Sequence, residues 1–144
     1  MVLCANDYGN EVTAGRYDAM NGLLLLGDGN DSFNAQTMQQ SGFCVPGDAK
    51  ALIQLRGTEG VYLLAASQNQ GAIKLFKERR NATIIGVKGD DSYALIKLKS
   101  GKVRKQELYY GSSFLSQSAR FVVKDTDVQS ITIVNTKGVK RIIQ

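Results

Sequence analysis

Apolar and polar positions alternate with a period of two along most of this chain, and short polar or glycine-bearing turns interrupt the alternation. Successive side chains of a strand point to opposite faces, so this period predicts strands with one buried side. Strands are expected over 50–55 and 60–66, divided by the turn Gly57-Thr58-Glu59-Gly60. A third, over 72–77, follows the turn Gln68-Asn69-Gln70-Gly71. The second half repeats the rhythm over 81–88, 93–99, 102–110, 120–123, 128–134 and 139–143. Within its last hairpin, Ile131, Ile133 and Val139 fall at strand spacing and are expected on one buried face. Lys97, Lys99, Lys102 and Arg104 are expected to point to solvent, where charge also protects sheet edges. No segment of helical length carries a 3.6-residue apolar stripe, so helix is expected to be scarce. The predicted fold class is all-β: an antiparallel, propeller-blade-like meander followed by a small β-sandwich or barrel-like domain.

Composition sharpens this picture in three places. Pro46 is the single proline among 144 residues, against 15 glycines, which suits many tight turns. The net charge of +5 is unevenly spread. Residues 1–71 carry three basic and seven acidic groups (3 − 7 = −4), and residues 72–144 carry 15 and six (15 − 6 = +9). That split predicts two structural units, 1–80 and 81–144. A basic second half suits acidic glycans, nucleic acid or lipid headgroups, although strand alternation alone accounts for most of its lysines and arginines. The chain has no histidine, which excludes His-ligated zinc, imidazole acid–base catalysis and Ser-His-Asp triads within it.

No apolar run reaches the roughly 18 residues of a membrane-spanning helix, so no membrane span is expected. Met1-Val2-Leu3-Cys4 leads at once into polar Asn6-Asp7, unlike a signal peptide, so export would need a signal upstream. Cys4 and Cys44 suit either one disulfide or two buried thiols. No phosphate-binding glycine loop and no Gly-x-Ser-x-Gly elbow occurs, and Asp90-Asp91 sits in a turn where solvated carboxylates are expected. The chain is therefore read as non-enzymatic.

Two segments carry candidate chemistry. Asp28, Asn30 and Asp31, within Gly27-Asp28-Gly29-Asn30-Asp31-Ser32-Phe33, offer alternating oxygen ligands to calcium, or simply the backbone freedom of a hairpin turn. No other cofactor is expected. Tyr8, Arg16, Tyr17 and Asp18 bring aromatic and charged groups together in one polar loop. This suits a sugar or peptide ligand, or an internal ion pair that fixes the loop.

Leu23-Leu24-Leu25-Leu26-Gly27-Asp28-Gly29 with Phe33 resembles the strand–turn core of FG-GAP or VCBS propeller repeats. Ser41-Gly42-Phe43, Pro46-Gly47-Asp48-Ala49-Lys50-Ala51 and Ala66-Ser67-Gln68-Asn69 resemble the next repeat, and the 6–19 loop resembles its Bacteroidetes-type version. Gly111-Ser112-Ser113-Phe114-Leu115-Ser116-Gln117-Ser118 is similar to the Gly-x-x-Tyr/Phe-Leu-Ser-Gln signature of the ASPIC/UnbV domain. Where such repeats carry an Asp-x-Asp-x-Asp-Gly calcium loop, this chain has Leu55-Arg56-Gly57-Thr58-Glu59-Gly60, and it lacks the Trp-Pro turn of ASPIC/UnbV domains. The resemblance implies an extracellular, cell-surface or periplasmic module at the end of a larger propeller. It implies binding of a glycan or protein through Tyr8, Arg16, Tyr17, Asp18, Ser113, Ser116 and Gln117, with open strand edges covered by the parent or by self-association. The alternatives are a purely structural terminal domain and, more weakly, nucleic-acid binding through the basic half.

Overall fold

The computed structural model describes residues 1–79, 82–111 and 115–143. The chain is all-β, about 50% strand and 4% helix, in antiparallel sheets of which none closes into a barrel. It divides into two compact units. The first comprises Met1–Ile53, Leu64–Phe76 and a short piece ending at Ser116. The second comprises Gln54–Leu63, the stretch that begins at Lys77, and the stretch that begins at Gln117.

In the first unit, β1 (Val2–Leu3), β2 (Leu23–Gly27) and β3 (Phe33–Gln36) form one sheet in that order. Between β3 and the next strand lies a single helical turn, α1 (Met38–Ser41). Thr37 and Gln40 form a reciprocal capping box at its start, which satisfies otherwise orphaned N–H groups. Gly42 ends it at φ 67°, a left-handed conformation that glycine adopts without strain. The turn delivers Phe43 and Val45 to the core, where they meet Ala66, Val2, Cys4, Ala49, Leu52 and Phe76. The Phe43 and Phe76 ring centroids are 4.6 Å apart with planes tilted by 53°. Gly22 sits at φ 97°, and a Cβ there would come within 2.9 Å of the Phe43 ring, so both backbone and packing select glycine.

A second three-stranded sheet, ordered β4 (Ala49–Arg56), β5 (Tyr62–Gln68), β6 (Gly71–Lys77), follows the expected meander. The unit boundary cuts β4 after Ile53 and β5 after Leu63.

In the second unit, β8 (Asp91–Leu98), β9 (Val103–Glu107), β11 (Val128–Asn135) and β12 (Lys140–Ile143) form a sheet in the order β12-β11-β8-β9. The strands β7 (Thr83–Gly86) and β10 (Phe121–Lys124) pair separately. Ala94 and Ile96 of β8 and Ile131 and Ile133 of β11 are at most 1% exposed. They pack with Val122, Val128 and Leu108, so the β7–β10 pair covers this face of the larger sheet. Removing these branched side chains from water is the main force that closes the unit.

Two expectations need correction. Val139 is 63% exposed, while Ile131 pairs with Ile143 and Ile133 with Arg141. Val139 closes the hairpin instead, its carbonyl accepting the Asn135 N–H at 3.0 Å and its own N–H donating to Asn135 Oδ1 at 2.9 Å. Asp91 is not solvated: it is 6% exposed, accepts the Lys88 N–H at 2.7 Å and pairs with the Arg141 guanidinium at 2.8 Å. A buried carboxylate persists only with such partners.

Candidate functional site

The loop of the first unit that carries Tyr8, Arg16, Tyr17 and Asp18 folds back on itself. Asp7 and Tyr17 exchange backbone hydrogen bonds at 3.0 and 2.9 Å. The Arg16 guanidinium lies 3.9 Å from the centre of the Tyr8 ring, a cation–π contact. The Asp18 carboxylate beside it pushes the Tyr8 phenol above its ordinary value. The anchor beneath is Asn6, which the sequence reading passed over. Only 1% exposed, it accepts the Met20 N–H at 2.9 Å and donates to Pro46 O at 3.2 Å and Asn21 Oδ1 at 3.3 Å. Tyr8 Oη also donates to Pro46 O, at 3.0 Å. These bonds fix the loop and leave Tyr17, 57% exposed, at its surface.

Lys50 extends the same polar system, with its ammonium 2.6 Å from Asp7 Oδ1 and 2.7 Å from Asp48 Oδ1. Asp48, only 3% exposed, also accepts from the Asn69 amide at 3.0 Å. Lys50 holds both carboxyls below the usual aspartate range, and they in turn raise the Lys50 ammonium. A carboxyl with a depressed value stabilises the fold at neutral pH and loses that contribution as it is protonated. The 7–17 hairpin is therefore expected to keep its structure down to pH 3.8 and to loosen as pH falls further, through the depressed values of Asp7 and Asp48. On the alkaline side the contact persists beyond the ordinary lysine value of 10.5. Amide exchange at Gly9, whose N–H donates to Asp7 at 3.2 Å, reads the transition. Protection unchanged well below pH 3.8 would contradict this assignment.

At Asp28, Asn30 and Asp31 the geometry is that of a turn: Asp28 Oδ1 accepts the N–H groups of Asn30 at 2.7 Å and Ser32 at 3.3 Å. Asp31 takes φ 60°. Among the described residues no group of three or more His, Cys, Asp or Glu is placed to hold a metal ion. Cys4 and Cys44 are free thiols, and burial pushes the Cys4 thiol up.

The ASPIC/UnbV-like segment divides three ways. Ser113 lies outside the described residues. Ser116, 7% exposed, accepts the Leu52 N–H through its hydroxyl at 3.1 Å, and Gln117 is exposed.

A cleft in the second unit was not anticipated. Its volume is about 420 Å³, within the range typical of small-molecule sites. Its position follows from strand register. Arg104 pairs with Ile96 and Gln106 with Ala94, so both β9 side chains share the face of the sheet that carries Ile96 and Ala94. Arg104 nonetheless stays exposed because β9 is an edge strand and the cleft opens beneath it. An inward-pointing charge also protects an edge from pairing. Among the described residues the Arg104 guanidinium has no ion-pair or hydrogen-bond partner. Gln106 is held in place by donating to Phe121 O at 2.9 Å.

Two tyrosines, Tyr62 and Tyr109, also line the cleft. Tyr62 meets the Phe121 ring edge-on at 5.6 Å, and burial raises its phenol above the ordinary value. Tyr109 is 67% exposed. Arg120 also lines the cleft, and its guanidinium donates to the carbonyls of Leu108 at 3.0 Å, Lys88 at 3.3 Å, Gly89 at 3.2 Å, and Asp91. It also stacks on the Tyr110 ring at 4.1 Å. Arg120 is thus committed to the backbone, and Arg104 faces any ligand.

No family model, curated protein or solved structure matches the chain.

Proposed function

We propose that the chain is a non-catalytic binding module whose ligand is a neutral saccharide held in the cleft of the second unit. The observation that carries this reading is the composition of the cleft wall. The Arg104 guanidinium, free among the described residues, and the side chains of Gln54 and Gln106 line it together with the aromatic rings of Tyr62 and Tyr109. A sugar hydroxyl both donates and accepts, so it is matched by side chains that do each in fixed directions. The C–H faces of a pyranose ring match aromatic rings, which bury large areas at low entropic cost. Glu78, Glu107 and Asp125 also border the cleft and supply acceptors. Lys105 neutralises Glu107, so the wall carries both signs of charge and favours a neutral ligand over an ionic one.

The resemblance to FG-GAP and ASPIC/UnbV sequences supports placing this module at the end of an extracellular or periplasmic surface protein. No helix among the described residues is long and apolar enough to cross a membrane. A second reading, a purely structural terminal domain, is favoured by the serines of the 116–118 segment. Ser116 Oγ accepts the Leu52 N–H at 3.1 Å and Ser118 Oγ the Gln54 N–H at 3.0 Å, as expected of packed connecting turns.

Replacing Arg104 with alanine separates the two readings. A hydrogen bond to a charged group contributes about 1.5–3 kcal/mol, so saccharide affinity is expected to fall roughly 10- to 100-fold. The melting temperature should stay within a degree or two, because Arg104 is exposed and unpaired. Calorimetric titration with a panel of glucose-, galactose-, mannose- and xylose-based disaccharides provides the measurement. Binding unaffected by Arg104→Ala would remove the cleft as the site.

A further inference from the structure

The strand β6 lies at the outside of the β4-β5-β6 sheet, in a part of the molecule the cleft does not involve. It runs for seven residues, Gly71–Lys77, without proline, and six of the seven are exposed. Side chains alternate along it. Phe76 turns into the core of the first unit, so Ala72 and Lys74 share its side, while Ile73 and Leu75 face the other way. Ile73 is 67% and Leu75 63% exposed. An outer strand also presents a row of backbone N–H and C=O groups to any strand laid beside it. Edge, exposed apolar pair and charge together describe a template for one added strand.

Charge decides what that strand is. Lys74 stands at the midpoint of Gly71–Lys77. Two copies of β6 paired antiparallel about their centres would set Lys74 against Lys74, and like charges directly opposite are destabilising. The strand contains no acidic residue, and its charges are Lys74 and Lys77. A partner strand with a carboxylate opposite Lys74 and apolar residues opposite Ile73 and Leu75 meets every feature of this edge.

We propose that β6 is a docking edge for an extended segment of another protein that alternates apolar and acidic residues. The added strand continues the sheet by backbone hydrogen bonds, and its carboxylates lie on the side of Lys74. The apolar residues between them cover Ile73 and Leu75.

The test uses the full chain and two labelled seven-residue peptides, one alternating valine and glutamate and the other valine and lysine. Fluorescence anisotropy is expected to show the glutamate peptide binding at least 10-fold more tightly than the lysine peptide. Lys74→Glu, a change at an exposed position, should invert that preference while circular dichroism stays unchanged. Ile73→Pro, which removes a backbone donor from the strand, should weaken both peptides. Backbone amide shifts should map to 71–77. Equal affinity for the two peptides, no binding of either, or a glutamate preference that survives Lys74→Glu would overturn the proposal. So would a dimer in light scattering that Leu75→Glu dissolves, since the occupant would then be a second copy.

Discussion

Replacing Arg120 with alanine is expected to destabilise the second unit by about 4 kcal/mol, well beyond the loss of any one hydrogen bond. One guanidinium holds the carbonyls of Lys88, Gly89, Asp91 and Leu108. These lie in the β7–β8 turn, at the start of β8 and just after β9. Without it several carbonyls lose a charged donor at once, and the Tyr110 ring loses the cation stacked on it. Tyr110 itself bonds Gly89 O at 2.8 Å, so the same turn is loosened twice. Lysine is expected to recover less than half of the loss, because one ammonium cannot reproduce the planar fork that reaches separated acceptors. Urea denaturation of the wild type, Arg120→Ala and Arg120→Lys measures both quantities. A loss below about 1 kcal/mol for alanine would mean that water replaces the guanidinium at little cost.

The second large effect is expected at Asn6 in the first unit. Asn6→Ala should cost about 3 kcal/mol, because it removes a donor and an acceptor from a position 1% exposed. The Met20 N–H, Pro46 O and Asn21 Oδ1 would each lose a partner. Asp would restore the bond from Met20 but place a second acceptor against Pro46 O, so it should rescue poorly. Denaturation combined with amide exchange over 6–21 reads the effect. A stability change below about 1 kcal/mol would show that the 7–17 hairpin holds without its buried anchor.

These two residues also mark where the sequence stopped being legible. The strands of the second half were readable because Ala94, Ile96, Ile131 and Ile133 alternate with polar residues, and burial follows that period. Lys97, Lys99 and Lys102 are exposed, as that period requires. The hairpin at 135–138 misled because Val139 shares its face with Arg141 and Ile143 but lies at the exposed end of the pair, opposite Asn135. Arg141, on the same face, pairs with Asp91, and no local pattern announces a pair 50 residues apart. In the first half, β3 is mostly exposed and offers no alternation. The capping box of Thr37 and Gln40 was a readable signal for α1 that apolar periodicity overlooked.

The candidate site was legible only in part. Tyr8, Arg16 and Asp18 do come together, and Arg16 stacks on Tyr8, where an internal ion pair was one of the two expectations. The cleft itself was hidden, because its residues come from strands far apart in the chain and the register of β9 turns Arg104 beneath the sheet. Arg120 and Asn6 act through backbone carbonyls and amides, which no side-chain pattern encodes.

The most direct test of the binding proposal is a ¹H–¹⁵N NMR titration of the chain with the neutral disaccharide panel. The expected result is saturable shifts for the amides of Arg104, Gln106 and Phe121 and the side chain of Gln54, abolished by Arg104→Ala. No shift in the second unit at roughly 10 mM sugar, where even millimolar binding would register, or shifts confined to the first unit, would contradict it.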